Sequence, residues 1–164
     1  MSLLRDQKIV TDDYATLADD APVPAAGKVI VSLARWQKEE AQLKSGALQV
    51  GVRIPNTADL AIVWPSVKDR LLIALEFPAF ADGRAYSQAK LLRARYGYRG
   101  EIRALGAAVV RDQLQGMHRC GINSFALREG EDPQLCATSF DDFTASYQKL
   151  LGQAAFVRSA RQLR

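Results

Sequence analysis

The residues best suited to chemistry stand together between positions 76 and 88. Glu76 lies near the end of a predicted strand, and the triplet Asp82-Gly83-Arg84 follows at the start of a predicted helix. Asp82 could act as a general base and Arg84 as an anchor for an anion, while the unpaired amides of the first helical turn would add hydrogen-bond donors. The same segment supplies the further candidate binding residues Phe80, Gly83, Tyr86 and Ser87.

A second candidate loop runs from Gly106 to Gln113 and leads into another predicted helix. Arg111 and Asp112 fall in the first turn of that helix. An anion bound between the two loops could meet Arg84 and Arg111 together, with Asp112 orienting one of them. The structural alternatives are that Asp82 caps its helix and that Arg111 and Asp112 make ordinary surface ion pairs.

The cysteine and histidine content argues against a metal centre or an iron–sulfur cluster. The chain has two cysteines, Cys120 and Cys136, and one histidine, with no Cys-x-x-Cys spacing. We therefore expect two free thiols and no cofactor held by this chain. A nucleophile built from His118 and Cys120 is not favoured, because near neighbours on a helix do not face each other. Glycine-rich phosphate-binding motifs are absent from the sequence.

Short apolar runs alternate with helical patterns from Lys28 onward. Strands are predicted at 29–33, 48–54, 71–77, 101–106 and 123–127. Helices are predicted at 35–43, from a cap at Asn56 or Thr57 toward Trp64, from Asp82 to Tyr96, from Val109, and at 140–151. The alternation predicts an α/β domain: a mainly parallel sheet of about five strands with helices packed on it, preceded by a short N-terminal arm. Both candidate loops would lie beyond the carboxyl ends of the strands, where such sheets bind ligands.

Charge divides the chain into three parts. The 164 residues carry 22 Lys or Arg and 18 Asp or Glu, a net charge of +4. Residues 1–27 hold two basic and five acidic residues and form an acidic arm, with a turn expected near Asp12-Asp13 and a Pro-rich linker. Residues 28–151 form the single α/β domain, and 152–164 form a basic tail. No apolar stretch nears the ~18–20 residues of a membrane helix, and early charges disfavour a signal peptide, so we expect a cytoplasmic protein.

Basic residues concentrate on one predicted helix. Eight basic and two acidic residues lie between Arg84 and Arg119. The helix from Asp82 carries Arg84, Lys90, Arg93, Arg95 and Arg99 away from its apolar face. This surface could bind an acidic partner protein, a small anion or a nucleic acid, although no nucleic-acid-binding motif accompanies it. The structural alternative is a solvated helix face.

The Phe-x-Asp-Gly-Arg-x-Tyr-Ser element at residues 80–87 resembles the bacterial family named domain of unknown function 934. The similarity continues through Arg111-Asp112-Gln113-Leu114 and Arg119-Cys120-Gly121-Ile122 and covers about residues 28–147. The positions that match the family pattern are Phe80, Asp82, Gly83, Arg84, Tyr86, Ser87, Arg93, Asp112, Arg119 and Gly121. Some relatives have an Asp where this chain has Ala107. The resemblance implies a role in cytoplasmic sulfite reduction, because members tend to be encoded beside sulfite reductase and are often labelled as oxidoreductases.

Three functional hypotheses follow. In the first, the chain is an accessory protein of assimilatory sulfite reduction that binds sulfite reductase, another sulfate-assimilation protein or a small anion through the Asp82-Gly83-Arg84 loop and the basic helix. In the second, it is an enzyme on a small anionic substrate, with Asp82 as acid/base and Arg84 and Arg111 as anchors. The third and weakest is nucleic-acid binding. The oligomeric state stays open, a homo-oligomer included.

Overall fold

The computed structural model of the chain describes residues 2–45 and 47–142. The predicted basic tail and nearly all of the predicted helix at 140–151 lie outside the described residues. The strands are β1 (Leu3–Arg5), β2 (Lys8–Val10), β3 (Ala15–Thr16), β4 (Ala26–Ser32), β5 (Ala47–Ile54), β6 (Leu72–Glu76), β7 (Glu101–Leu105) and β8 (Ser124–Ala126). The helices are α1 (Leu33–Ser45), α2 (Leu60–Val67), α3 (Arg84–Ala94), α4 (Arg111–Arg119) and α5 (Pro133–Thr138), followed by a 3₁₀ turn at Ser139–Asp141.

The five predicted strands form the parallel part of the sheet. β4 to β8 lie side by side in chain order, and each is parallel to the next. One helix follows each of the first four, and all of these helices pack on the same face. There Trp36, Val63, Leu92 and Leu114 share one buried core with alternate residues of the strands. The α/β prediction is therefore confirmed, with every helix that connects these strands on one side of the sheet.

The prediction of about five strands is not exact, because the sheet has eight strands within the part of the chain that the structure describes. The additional three come from the segment predicted as an arm: β1 pairs antiparallel with β2 and β8, and β3 pairs parallel with β4. The hairpin turn lies at Asp6-Gln7, where both residues have positive φ (49° and 66°), and not near Asp12-Asp13. Two such residues build the tight turn that suits the twist of a hairpin. Strands of two or three residues are too short for an alternating pattern to reveal.

The sheet curls into a half-barrel. β2 and β3 are its two outermost strands, yet only residues 11–14 separate them along the chain. Eight strands laid flat would hold the edges ~34 Å apart at ~4.8 Å per strand. The five Cα–Cα steps from Val10 to Ala15 span at most ~18 Å. The chain can join the two edges only because the sheet bends, so the connecting segment crosses its concave face.

The concave face combines a small apolar patch with a buried ion cluster. Tyr14 of the crossing segment packs with Ile30, Leu72 and Ala74. Beside it lies the guanidinium of Arg103, which is completely buried. The Arg103 guanidinium forms an ion pair with Asp12. This pair fastens the segment from 11 to 14 across the face that the helices leave uncovered.

Two helix starts differ from the sequence prediction. α2 begins at Leu60 and is capped by Asp59, whose carboxylate accepts from the amide of Ala61 at 2.8 Å, and not by Asn56 or Thr57. α5 was not anticipated, although Asp132 caps it and Pro133 opens it. Both helices start with the usual signals of a capping aspartate or an initial proline. Neither helix is long enough to show apolar residues repeating at helical spacing over several turns, which is the pattern that identifies a helix in a sequence.

Candidate functional site

The two candidate loops are neighbours at the carboxyl edge of the sheet. One follows β6 and the other follows β7, and these strands pair in parallel up to Glu76 and Leu105. The amide of Phe77 donates to the carbonyl of Leu105 at 2.7 Å, and the amide of Ala108 donates to the carbonyl of Phe77 at 3.1 Å. Gly106 allows this approach: its φ is +119°, and a Cβ atom there would lie 2.5 Å from the Phe77 oxygen.

Asp82 is held from three directions. Its carboxylate accepts from the amide of Arg84 at 3.2 Å and from the Arg84 guanidinium at 3.0 and 2.6 Å. Asn56, a buried residue of the β5–α2 connection, donates to the same carboxylate at 2.8 Å. The hydrogen bonds from Arg84 hold the pKa of Asp82 far below its usual 3.8, so the group stays a carboxylate at neutral pH. This arrangement disfavours the hypothesis that Asp82 exchanges protons as an acid/base.

Arg84 and Arg111 have separate partners. Arg84 pairs with Asp82, whereas the Arg111 guanidinium pairs with Asp142 at 2.7 Å and donates to the carbonyl of Leu135 at 3.2 Å. The amide of Arg111 donates to Glu131, which lowers the pKa of that carboxyl. Arg111 thus fastens the start of α4 to the α5 region. Each arginine already pairs with a carboxylate of the protein. This weakens the hypothesis that Arg84 and Arg111 bind one anion together.

Glu76 belongs to a different group at the same edge. It forms an ion pair with Arg53 of β5 at 3.1 Å. Both side chains line a cavity of about 260 Å³ together with Asp19, Ser32 and Gln37. Ser32 donates to Asp19 at 2.6 Å. Sequence reasoning missed Arg53 and Ser32, although their positions at the ends of predicted strands were a usable signal.

Tyr86 holds the two helices together. Its ring meets Phe77 edge-on, with 5.2 Å between centroids, and its hydroxyl donates to the side-chain oxygen of Gln113 on α4. Burial raises the pKa of this hydroxyl. Gln88 is also buried, and its amide donates to the carbonyls of Pro55 and Ala58, both at 3.0 Å. These two residues of the candidate segment therefore serve the packing of α3.

The other predicted site residues stand on the surface. Gly83 precedes α3 with open space around it, and Ser87 and Asp112 are exposed in α3 and in the first turn of α4. Phe80 is 63% exposed, an unusual position for a large aromatic side chain. Its loop is closed by a hydrogen bond from the Asp82 amide to the Ala79 carbonyl at 3.1 Å. Phe80 is thus presented to solvent by a well-anchored loop.

One member of the predicted basic surface points into the protein. Arg93 donates to the carbonyls of Gly121, Tyr98 and Gly100 at 2.7–2.8 Å and to the side chain of Asn123 at 3.1 Å. Burial lowers the pKa of its guanidinium. The prediction that Arg93 belongs to an external basic face is therefore wrong, because the loops at the amino ends of β7 and β8 need its donors. The outward side of α3 retains the exposed residues Arg84, Ser87, Lys90, Leu91 and Ala94, followed by Arg95.

Neither cysteine has the surroundings of a reactive thiol. Both are free; Cys136 is buried and Cys120 is half-buried. Burial raises the pKa of both thiols, that of Cys136 to about 11, so they stay protonated at neutral pH. Among residues 2–45 and 47–142, no group of three or more His, Cys, Asp or Glu side chains could hold a metal ion. In the same part of the chain, no helix combines the length and apolar character needed to cross a membrane.

The fold and the site define a singly wound α/β half-barrel whose carboxyl edge carries fixed ion pairs and one exposed aromatic loop. Residues 51–156 match the model of the family described as a bacterial protein of unknown function (DUF934), and the chain belongs to this family. The resemblance noted from the element at residues 80–87 is thereby confirmed. No curated protein matches the chain, and no solved structure does.

Proposed function

We propose that the chain is an accessory protein of cytoplasmic assimilatory sulfite reduction that docks on an acidic surface of a partner enzyme. The docking face consists of Phe80 and the outward side of α3, namely Arg84, Ser87, Lys90, Leu91 and Arg95. The observation that carries this proposal is the exposure of Phe80 on a loop that Asp82 ties to both Arg84 and Asn56.

Anchoring of the loop favours binding because little conformational entropy remains to be lost. The Asp82 carboxylate fixes the loop before a partner binds. The Arg84 side chain pairs with this carboxylate and is still 58% exposed. Rigid elements gain affinity by avoiding the ordering of loops and side chains on association. Aromatic and arginine side chains are also the types that contribute most to protein interfaces. Phe80 and Arg84 together have the character of an interface centre.

The charge of α3 supports an acidic partner surface. The helix contains no Asp or Glu from Arg84 to Ala94, and Lys90 and Arg95 are exposed beside Leu91. Opposite charges across an interface speed association and select among partners. The catalytic alternative has less support, since Asp82 is held as a carboxylate and the thiols stay protonated.

The choice of sulfite reduction is supported by the family resemblance, whose members tend to be encoded beside sulfite reductase. Sulfite reductase is therefore the first partner to test, and other sulfate-assimilation proteins follow. Biolayer interferometry with the purified enzyme should show saturable binding that weakens as salt is raised.

A variant pair separates the docking face from general charge effects. Lys90→Glu on α3 should weaken binding at least about tenfold, because it places an acid against an acidic partner. Lys38→Glu on the exposed side of α1 makes the same charge change elsewhere and should leave binding unchanged. If both variants weaken binding equally, the proposed docking face is wrong.

A further inference from the structure

A second surface begins on the outward side of α2 and ends at the amino edge of the sheet. The helix reads Leu-Ala-Ile-Val-Trp-Pro-Ser-Val, so Ser66 is its single polar side chain. Leu60, Val63 and Val67 are buried, but Ala61, Ile62 and Pro65 are exposed. A surface helix normally carries polar residues on its outward side. The exposed fraction of Ile62 is 76%, the highest of any large apolar side chain among the described residues.

A groove of about 470 Å³ adjoins this helix at the amino ends of β6 and β7. Trp64 and Tyr96 form one wall, and Leu71, 64% exposed, forms another part of the lining. On a helical wheel Ala61 and Pro65 lie between Trp64 and Ile62, so the exposed apolar side of α2 continues into the groove. The groove and this side of α2 together form one apolar surface.

Packing beneath the groove fixes its shape. Trp64 stacks on Tyr96 with 4.8 Å between ring centroids and meets Tyr98 edge-on at 6.1 Å. Burial raises the pKa of Tyr98, whose hydroxyl stays protonated and donates to the carbonyl of Arg70 at 2.9 Å. A Cβ atom on Gly100 would lie 2.3 Å from that hydroxyl. The floor of the groove is thus closely packed and already formed.

The rim of the groove is mainly cationic. Lys68 and Arg99 are exposed at its margin, Arg70 lines it, and Asp69 is the single acidic residue of the lining. An apolar floor with a cationic rim fits an apolar anchor flanked by carboxylates. The Trp64 and Tyr96 rings cover one face of each other, and the Arg95 guanidinium lies over the Tyr96 ring. Single-stranded nucleic acid needs open aromatic faces on which bases stack.

We propose that this groove binds an acidic peptide segment of a partner protein, with one large apolar or aromatic side chain of that segment seated against Trp64, Tyr96 and Leu71. Lys68 and Arg99 would pair with carboxylates on either side of the anchor. The groove lies at the amino ends of β6 and β7 and does not include Phe80, so the proposal does not rest on the proposed function. Arg95 of the docking face lies over the Tyr96 ring, 5.7 Å from its centroid, so the docking face and the groove adjoin there.

Selection from a random 12-residue peptide library on the immobilised full-length chain tests this proposal. We expect enrichment of peptides with an aromatic or large aliphatic residue flanked by Asp and Glu. Enrichment of basic or uncharged peptides, or no enrichment, would overturn it. Fluorescence anisotropy then measures the affinity of the most enriched peptide and its salt dependence.

Matched variants locate the peptide on the protein. The double variant Lys68→Glu/Arg99→Glu should weaken binding of that peptide at least tenfold, and Leu71→Ser should weaken it at least threefold. The control Lys8→Glu/Lys38→Glu makes the same change in charge at exposed positions of β2 and α1, outside both surfaces, and should bind normally. Loss of binding in the control, or none in the groove variants, contradicts the assignment.

The same anisotropy assay distinguishes the alternative ligand class. A labelled single-stranded oligonucleotide should not compete with the peptide for wild-type protein. Tighter binding of the oligonucleotide than of the peptide, lost in Lys68→Glu/Arg99→Glu, would reassign the groove to nucleic acid. Circular dichroism of every variant confirms that the fold is retained, since all the substituted side chains are exposed.

Discussion

Asp12 accepts two hydrogen bonds from the buried guanidinium of Arg103, at 2.8 and 3.0 Å, across 91 positions of sequence. Glu101 accepts from the Nε atom of the same side chain at 2.9 Å. The pair joins the amino-terminal crossing segment to the middle of the sheet. It explains why a stretch that looks like a solvated acidic arm is part of the fold.

Replacing Asp12 should therefore destabilise the protein. Asp12→Ala removes one carboxylate from a charge that water cannot reach, and we expect a loss of about 1.5–3 kcal/mol in the free energy of unfolding. Urea denaturation followed by tryptophan fluorescence measures this loss. Asp20→Ala, at an exposed position between β3 and β4, should change stability by less than about 0.5 kcal/mol. Similar losses in both variants would mean that the Asp12–Arg103 pair does not secure the segment.

Arg93 should behave as a structural residue although it lies on a basic helix. Arg93→Ala removes the guanidinium that donates to three carbonyls and one of the two donors to the Asn123 side-chain oxygen, and we expect a loss of at least about 2 kcal/mol. Lys90→Ala, on the exposed side of the same helix, should stay within about 0.5 kcal/mol of wild type. Thermal and urea denaturation of the two proteins make the comparison. Equal stability of both variants would contradict the role of Arg93 in holding these loop carbonyls.

Gly106 should tolerate a side chain poorly. Gly106→Ala combines a positive φ, which carries a strain of about 1–3 kcal/mol, with a contact of 2.5 Å to the Phe77 carbonyl. Gly130 also has a positive φ, but nothing lies within 4 Å of its added Cβ atom. We expect Gly106→Ala to lose clearly more unfolding free energy than Gly130→Ala. Equal losses would show that the two carboxyl-edge loops are not packed this closely.

The Asp82 carboxyl should titrate below its usual pKa of 3.8. A group whose pKa is lower in the folded state stabilises the fold above the unfolded pKa, and this contribution disappears as the pH falls through the folded pKa. Carbon-13 NMR of the side-chain carboxyl should therefore show no titration of Asp82 between pH 7 and 4. A midpoint near or above 4 would revive Asp82 as a candidate acid/base.

The long apolar strands and the family element were readable from the sequence, and the curl of the sheet was not. The strand predicted at 71–77 stood out because it is apolar except for Glu76 and ends before Pro78. The pairing of Arg103 with Asp12 depends on a contact between distant segments, and no local pattern marks it. Arg93 was misplaced for a similar reason, since helical periodicity shows which side of the helix it occupies but not the loop carbonyls that approach it.

The sequence predicted the positions of the candidate loops better than the pairing of their side chains. β6 and β7 end side by side at Glu76 and Leu105, so the loops that carry Asp82 and Arg111 leave the same edge of the sheet. The sequence alone identified both loops. It could not show that Asp82 is neutralised by Arg84 or that Arg111 pairs with Asp142, because both depend on side-chain orientation. The sequence did not show that Phe80 is exposed, and this exposure gives the site its proposed role.

The affinity of the purified chain for sulfite reductase, with and without Phe80, tests the central proposal most directly. Phe80→Ala should leave the unfolding free energy within about 0.5 kcal/mol of wild type, because the ring is mostly exposed, and should weaken binding at least about tenfold. Biolayer interferometry gives the affinity, and urea denaturation confirms that the variant is folded. Wild-type affinity in Phe80→Ala, or no binding of sulfite reductase to the wild-type chain, would contradict the account.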